Sequence, residues 1–277
     1  MIPYFGSWPF WINFFLESCR FNSSINWLIF TDCGEVENCP DNVEIRHITF
    51  SRYCQLVSEK LSIDFRPLKP YKLCDIKPAY GLIHENDLVS YDFWGYGDID
   101  IVYGNIRQFL PNDRLASKDV FSMHKTRTSG HFCLIRNCKD LVCAFQKIPD
   151  WVQKFTYQQH LAIDEKDFSK LFLRHKNSPK FIKKLAAIVD PWLNRAEFIE
   201  SYSTPNARIP WIDGTYDFPK RWTWKNGNLT NEINENLEFL YFHFYIWKKL
   251  WSQNEVIPIK PHLKTFSITK SGFEAIE

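Results

Sequence analysis

Hydrophobic and polar residues alternate between helical and strand-like spacing in the first part of the chain. Apolar residues recur at helical spacing over residues 8–19, after Pro9 as a first-turn residue, which predicts a helix. The apolar run 26–30 is typical of a buried strand, and the turn-forming residues 31–34 end it. The chain therefore opens with a helix followed by a buried strand.

The same alternation continues to residue 97. We expect a strand at residues 43–48, a helix at 50–61 and an aromatic strand at 91–97. Residues 71–81 form either the entry to a helix or a helix broken by Pro78. Strands that look buried on both faces and alternate with helices predict an α/β domain with a mostly parallel central sheet flanked by helices.

The domain organisation is simple. The sequence shows no internal repeat, low-complexity segment or Gly/Ser linker, and its second half is more basic and aromatic. We expect one domain over residues 1–250, extended at its C-terminal end by helical and aromatic sequence. Residues 251–277 are predicted to be a tail that packs on this domain.

Composition and charge narrow the function classes. A 277-residue chain with 45% hydrophobic residues can build a large core, so general disorder is excluded. The net charge of +2 provides no broad cationic surface, so we expect no nucleic-acid partner. Aromatic residues make up 17% of the chain, which suits either a thick core or flat surfaces that stack on sugars and nucleobases.

The cysteine spacing and the hydropathy of the sequence indicate the cellular compartment in which we expect the protein. The eight cysteines form no C-x-x-C pair, so they are expected to be reduced thiols, and a zinc ribbon has no support. No apolar run approaches the roughly 18 residues that span a bilayer. The first residues lack the pattern of a signal peptide. We expect a soluble cytoplasmic protein.

The strongest candidate for chemistry is the pair Asp98 and Asp100, directly after the predicted strand 91–97. Two carboxylates one residue apart can converge on a hard divalent cation, which prefers oxygen ligands. Ligands of α/β sheets bind beyond the carboxyl ends of strands, where this pair lies. The alternative is an ordinary solvated turn, because a solitary D-x-D is a short motif.

Three segments resemble a known family. YKLCDIKPAYG (71–81), YDFWGYGDIDIVYGNI (91–106) and SGHFCLIRN (129–137) resemble the motifs of bacterial GT-A-type glycosyltransferases from surface-polysaccharide gene clusters. The resemblance extends from residues 4–6 to 241–243. It implies a GT-A-like fold and a nucleotide-sugar-dependent catalytic domain over 1–250.

The resemblance also implies a metal centre. Asp100 would be a direct ligand of Mn²⁺ or Mg²⁺, and Asp98 would be shared between the metal and the donor. His243 matches the C-terminal histidine with which several GT-A families complete the metal shell. The alternative for His243 is a structural histidine inside an aromatic run.

The implied donor pocket and the implied catalytic groups lie elsewhere in the sequence. The donor-side residues are Tyr4, Phe5, Gly6, Asp32 and Lys77, together with Asp98. Simpler alternatives are core aromatics, a turn or helix cap at Asp32, and a solvated lysine, and Lys72 competes with Lys77 for a phosphate role. His131 would contact the transferred sugar, and Asp164 or Glu165 would serve as base or orienting group beside the acceptor. A structural histidine and an exposed helix cap are the alternatives.

These features predict a metal-dependent glycosyltransferase of surface-polysaccharide (O-antigen or capsule) synthesis. The donor would be a UDP-hexose, and the acceptor a glycan or a lipid-linked oligosaccharide. Residues 247–251 either contact the inner face of the membrane peripherally or pack their tryptophans on the core. The alternative function is a non-catalytic carbohydrate- or nucleotide-binding protein on the same scaffold. A phosphoryl or nucleotidyl transferase has less support, because neither a P-loop nor a kinase signature is present.

Overall fold

The computed structural model describes residues 1–173, 179–206, 208–252 and 255–276. In these residues the α-helices are α1 (Ile12–Arg20), α2 (Phe50–Leu61), α3 (Tyr80–Ile83), α4 (Ile106–Phe109), α5 (Asn112–Ser117), α6 (Lys139–Val142), α7 (Trp151–Thr156) and α8 (Lys180–Val189). The 3-10 helices span Pro70–Ala79, Glu85–Asp87, Ala144–Lys147, Phe168–Leu171, Pro191–Asn194 and Trp247–Leu250, and all but the first are short.

The strands are short, most of them three to five residues long. They are β1 (Ile2–Pro3), β2 (Trp27–Thr31), β3 (Val43–His47), β4 (Phe93–Gly97), β5 (Ile101–Tyr103), β6 (Val120–Ser122), β7 (Phe132–Arg136), β8 (Ala196–Phe198), β9 (Arg221–Lys225), β10 (Asn228–Asn231), β11 (Tyr241–His243), β12 (Thr265–Thr269) and β13 (Gly272–Ile276). The molecule is thus a mixed α/β structure, as the alternating pattern predicts.

The first strands form a parallel sheet in the order β1-β2-β3. The predicted strands at 26–30 and 43–48 are confirmed within one residue, and the predicted helix at 50–61 is α2 itself. Thr49 begins that helix, because its side-chain oxygen accepts a hydrogen bond from the Arg52 amide at 3.2 Å. Local patterning therefore accounts for this part of the fold.

Among the strands of the described residues, a mostly parallel central sheet is not confirmed. The sheet in the order β4-β7-β6-β8 pairs β7 antiparallel with both β4 and β6, and only β6 and β8 are parallel. The physical reason is the connection between β6 and β7, the loop 123–131. A loop of this kind can join antiparallel neighbours, whereas parallel neighbours need a longer crossover.

The second half contains an antiparallel sheet where helical sequence was expected. Strands pair in the order β10-β9-β12-β13, so residues from the predicted tail 251–277 form two of its four strands. Trp222 and Trp224 of β9 and Phe266 and Ile268 of β12 are all buried. In β9 the buried residues alternate with more exposed ones, the period of two that is typical of a half-buried strand, whereas in β12 the intervening Ser267 is buried as well.

The predicted broken helix at residues 71–81 is a 3-10 helix over Pro70–Ala79 that continues directly into α3. Pro78 lies inside it and cannot donate a backbone hydrogen bond. At the start of α3, a Cβ atom on Gly81 would lie 2.6 Å from Trp94 of β4. Glycine at this position therefore allows α3 to pack closely on β4.

Two observations bear on membrane contact. Among the described residues, no helix combines the length and the apolar character needed to cross a bilayer. In the aromatic and basic segment at 247–251, Trp247 is only 1% exposed and packs in the core. For that tryptophan, the structure favours core packing over membrane contact.

Candidate metal centre and substrate cleft

Strand pairing brings the predicted metal ligands together. Asp98 and Asp100 lie in the turn between β4 and β5, and β5 pairs antiparallel with β11 so that Ile101 faces His243. The Phe244 amide also donates a hydrogen bond to the Asp100 carbonyl at 3.1 Å. The β5–β11 ladder therefore places a histidine from near the end of the chain beside the acidic turn.

The three side chains have the chemistry and spacing of a divalent-cation site. One ligand atom from each of Asp98, Asp100 and His243 lies within 4.8 Å of the other two. Burial alone would raise the pKa of Asp100, but His243 and Lys248 hold it far below its ordinary value, so this carboxylate is ionised. Two carboxylates and an imidazole form a donor set that suits Mn²⁺ or Mg²⁺. The residues present thus fit the predicted metal.

Lys77 reaches the same turn, whereas Lys72 does not. The Lys77 ammonium lies 2.5 Å from Asp98 Oδ1 and 2.8 Å from the Gly130 carbonyl oxygen. Burial opposes its charge, but Asp98, Cys74 and Asp164 together outweigh burial, and the pKa of Lys77 is raised. Lys72 instead pairs with Asp75 at 2.8 Å, and both side chains are buried. Of the two phosphate candidates, only Lys77 lies at the candidate site.

Asp98, Asp100 and His243, here called the metal-type group, form part of the wall of a cleft of about 1010 Å³. The predicted site residues that line it are Tyr4, Phe5, Lys77, Asp98, Asp100, His131, Asp164, Glu165 and His243. A volume of this size accommodates a ligand larger than a single sugar. A second cavity of about 770 Å³ lies between the starts of β2 and β4, and none of these nine residues lines it.

Gly6 and Asp32 are not among the residues that line the cleft. Asp32 follows β2, and its Oδ1 accepts a hydrogen bond from the Gly6 amide at 2.7 Å. Gly6 has a φ of +117°, a conformation that side chains with a Cβ rarely adopt. In this structure the pair fixes the loop after β1, which agrees with the turn-forming alternative for Asp32.

The two aromatic candidates near the start of the chain differ. Tyr4 stacks on Trp8 with ring centroids 5.8 Å apart and planes 4° apart, and it remains partly accessible in the cleft. Phe5 is 9% exposed and packs against Phe50 and Tyr53. Tyr4 thus offers a stacking surface to a ligand, whereas Phe5 is mostly core.

His131 lies against the metal-type group. Its ring stacks on His243 with centroids 4.0 Å apart, and its Nε2 is 2.8 Å from the Tyr241 hydroxyl. Burial lowers the pKa of His131 well below its ordinary value, so the imidazole is neutral. In this structure the histidine supports His243 as well as lining the cleft.

Asp164 is a buried carboxyl group of the cleft whose pKa is raised, in contrast to that of Asp100. It is 3% exposed, and its Oδ1 has no hydrogen-bond partner among the described residues. Burial raises the pKa of Asp164 to about 7, with further contributions from Glu165 and Asp98, and Lys77 opposes the rise. A carboxyl group that titrates near neutral pH with a free oxygen has the properties of a general base.

The surroundings of Asp164 distinguish it from its neighbour. Glu165 forms an ion pair with Arg127 at 3.4 Å, and its side chain is 30% exposed. A Cβ atom on Gly130 would lie 2.7 Å from Asp164 Oδ2 and 3.3 Å from Glu165 Oε1. Glycine at 130 therefore leaves the space that the two carboxyl groups occupy, and Asp164 is the better candidate for proton transfer.

The structure adds cleft residues that sequence reasoning did not assign to the site. Lys248 lies 2.6 Å from Asp100 Oδ2, and its position five residues after His243 was the available signal. Tyr71 and His160 also line the cleft, with ring centroids 4.6 Å apart. His160 belongs to a second group that could hold a metal, with Asp75 and Asp164.

That second group is less suited to a cation. Asp75 Oδ2 accepts hydrogen bonds from Lys72 Nζ at 2.8 Å and from the Leu161 amide at 2.9 Å. Its Oδ1 accepts another from the Ile163 amide at 2.9 Å. Because these donors already satisfy the carboxylate, we assign Asp75 a structural role in holding the 161–163 segment.

Comparison with known proteins identifies a family. A family of unknown function, DUF6625, has a model that matches residues 1–277, so the chain belongs to this family. No curated protein sequence matches it significantly.

Several solved structures show weak similarity. An active-site mutant of LgtC is 10% identical over 60% of this chain and 70% of its own, with a TM-score of 0.33. The galactosyltransferase LgtC with donor and acceptor sugar analogues is 8% identical over 73% and 87%, with a TM-score of 0.34. Apo mouse xyloside xylosyltransferase 1 is 10% identical over 74% and 87%, with a TM-score of 0.36. TM-scores this low do not establish a shared fold.

Proposed function

We propose that this member of the DUF6625 family is a metal-dependent glycosyltransferase. It would move a sugar from a nucleotide-sugar, a UDP-hexose, to a hydroxyl group of a glycan or lipid-linked oligosaccharide in surface-polysaccharide synthesis. The observation that carries the proposal is the convergence of Asp98, Asp100 and His243 at the wall of a 1010 Å³ cleft. The resemblance of residues 71–81, 91–106 and 129–137 to GT-A-type enzymes supports the sugar-transfer chemistry.

The charged groups on the donor side suit a diphosphate leaving group. Asp98, Asp100 and His243 would hold Mn²⁺ or Mg²⁺, which when bound neutralises negative charge on the departing diphosphate. Lys77 keeps its ammonium at the same turn, where it can add a second positive charge. The chain would therefore contribute mainly electrostatic stabilisation on this side.

Asp164 supports a catalytic role over simple binding. A buried carboxyl group with an unsatisfied oxygen and a pKa of about 7 costs folding free energy, and such groups concentrate at catalytic sites. In the proposed reaction, its carboxylate accepts the proton of the acceptor hydroxyl as that oxygen attacks the sugar. Glu165, paired with Arg127, would orient the acceptor.

Calorimetric titration with UDP, GDP and CMP, each with Mn²⁺ and with a chelator, tests the proposal. We expect one nucleotide to bind only with Mn²⁺ and binding to be lost in Asp100→Ala. The exposed Asp113, on α5, provides the matched control, so Asp113→Ala should bind like the wild type. Sugars of the binding nucleotide are then assayed for metal-dependent hydrolysis and transfer. If no nucleotide binds under any condition, the proposal is wrong.

A further inference from the structure

Each aspartate of the metal-type group already has a cationic partner from the chain. Lys77 Nζ lies 2.5 Å from Asp98 Oδ1, and Lys248 Nζ lies 2.6 Å from Asp100 Oδ2. Two ammonium groups therefore balance two carboxylates without any ion. A divalent cation that arrives at this group meets oxygens that are already engaged.

The two lysines differ in how firmly they are held. The Lys77 side chain is 5% exposed and donates a second hydrogen bond to the Gly130 carbonyl oxygen. The Lys248 side chain is 34% exposed, and its other described contact is the Tyr245 ring face at 5.7 Å. Lys248 is therefore the lysine that can leave its carboxylate at the lower cost.

The oxygen that Lys248 engages is also the Asp100 oxygen that faces His243, so a cation shared by these two residues would bind it. Asp100 Oδ2 is 3.5 Å from His243 Nε2, on the side where Asp100 and His243 face each other. A divalent cation and an ammonium on one carboxylate oxygen would lie within a few ångströms of each other and repel each other. Metal binding therefore requires the Lys248 ammonium to move away.

We propose that Lys248 is an internal cation that competes with the divalent metal for Asp100, so that metal binding depends on a nucleoside diphosphate in the cleft. The inference rests on the proposed function. The displaced ammonium stays in the cleft, where the negative charge of a diphosphate offers it a new partner. Metal alone must break the Lys248–Asp100 pair without such compensation, and so it binds weakly.

Binding of Mn²⁺, followed by the electron paramagnetic resonance signal of the free ion, tests this without any turnover. The wild type is compared with Lys248→Gln, in the presence and absence of UDP. Lys249→Gln is the matched control, because it removes the same charge from the same segment. The Lys249 ammonium lies 4.0 Å from the centre of the Tyr245 ring, and its described contact is with that ring rather than with Asp98 or Asp100.

We expect Lys248→Gln to bind Mn²⁺ alone about tenfold more tightly than the wild type, and Lys249→Gln to differ by less than about threefold. UDP should tighten Mn²⁺ binding by a larger factor in the wild type than in Lys248→Gln. Equal Mn²⁺ affinity in the two glutamine variants would overturn the inference.

The wild type alone gives a second test that needs no variant. If it binds Mn²⁺ equally well with and without UDP, the competition is refuted, and so is a metal-dependent UDP-hexose donor, because coupling between two ligands is reciprocal. Equal Mn²⁺ affinity in the two glutamine variants, with UDP still tightening Mn²⁺ binding, refutes the competition alone and leaves the proposed function standing. If Mn²⁺ binds to no form of the protein even with UDP, both the competition and the proposed function are wrong.

Discussion

Replacement of Asp164 by Asn should stabilise the protein at neutral pH while removing its activity. Asp164 is buried with an unpartnered Oδ1, and burial raises its pKa from the ordinary 3.8 to about 7. Below pH 3.8 the group is protonated in both the folded and the unfolded states. Between pH 3.8 and 7 the folded state keeps the proton that the unfolded state releases, so the free energy of unfolding falls as pH rises through this window.

The size of this change in the free energy of unfolding follows from the folded and unfolded pKa values of Asp164. A rise from 3.8 to about 7 corresponds to about 4 kcal/mol of stability present at low pH and lost above neutrality. Asparagine has nearly the same shape and does not titrate. The difference in unfolding free energy between Asp164→Asn and the wild type should therefore grow by up to about 4 kcal/mol between pH 4 and pH 8.

Urea unfolding of both proteins at several values between pH 4 and pH 8 measures this difference. Other titrating groups, such as buried His84 with a pKa lowered to about 3, are common to both proteins and cancel in the comparison. The exposed Asp113 supplies the control, since Asp113→Asn should show no such growth. A stability difference for Asp164→Asn that stays constant across this pH range would refute the reasoning.

Three further substitutions test other parts of the structure. His243→Ala should weaken Mn²⁺-dependent nucleotide binding in calorimetry, and an unchanged affinity would make the histidine purely structural. Gly81→Ala should lower the free energy of unfolding by about 1–3 kcal/mol, because its Cβ would lie 2.6 Å from Trp94, and wild-type stability would show that the indole can yield. Thr49→Ala should lower the free energy of unfolding by about 1 kcal/mol, because it removes the cap of α2. Thr49→Ser keeps a capping hydroxyl and should lose much less of this free energy in the same urea titration.

Sequence reasoning predicted the parts of the fold that local patterns encode. Strands β2 and β3, with five residues each, and the capped helix α2, with twelve, are long enough for their period to be recognised. β5, β6 and β11 have three residues each, and their direction depends on distant partners. For that reason the antiparallel pairings, and the sheet built by residues 251–277, did not follow from the pattern.

In the candidate site, too, local sequence patterns predict some features, whereas others depend on contacts between distant segments. The position of Asp98 and Asp100 at a strand end could be predicted from sequence, whereas His243 was placed with them only by resemblance, because the β5–β11 pairing joins distant segments. The Lys248–Asp100 contact depends on the 3-10 turn Trp247–Leu250, which sequence spacing does not specify. For Asp32 the strand-end position was misleading. Its carboxylate holds the loop after β1 and does not line the cleft.

The central claim is that Asp98, Asp100 and His243 hold a divalent cation in the cleft. Crystals grown with Mn²⁺ and UDP, measured at the manganese absorption edge, locate the metal directly by anomalous scattering. We predict one strong peak among these three side chains, with the Lys248 ammonium displaced from Asp100. A peak at Asp75, His160 and Asp164 instead, or no peak in crystals that contain bound UDP, would contradict the assignment.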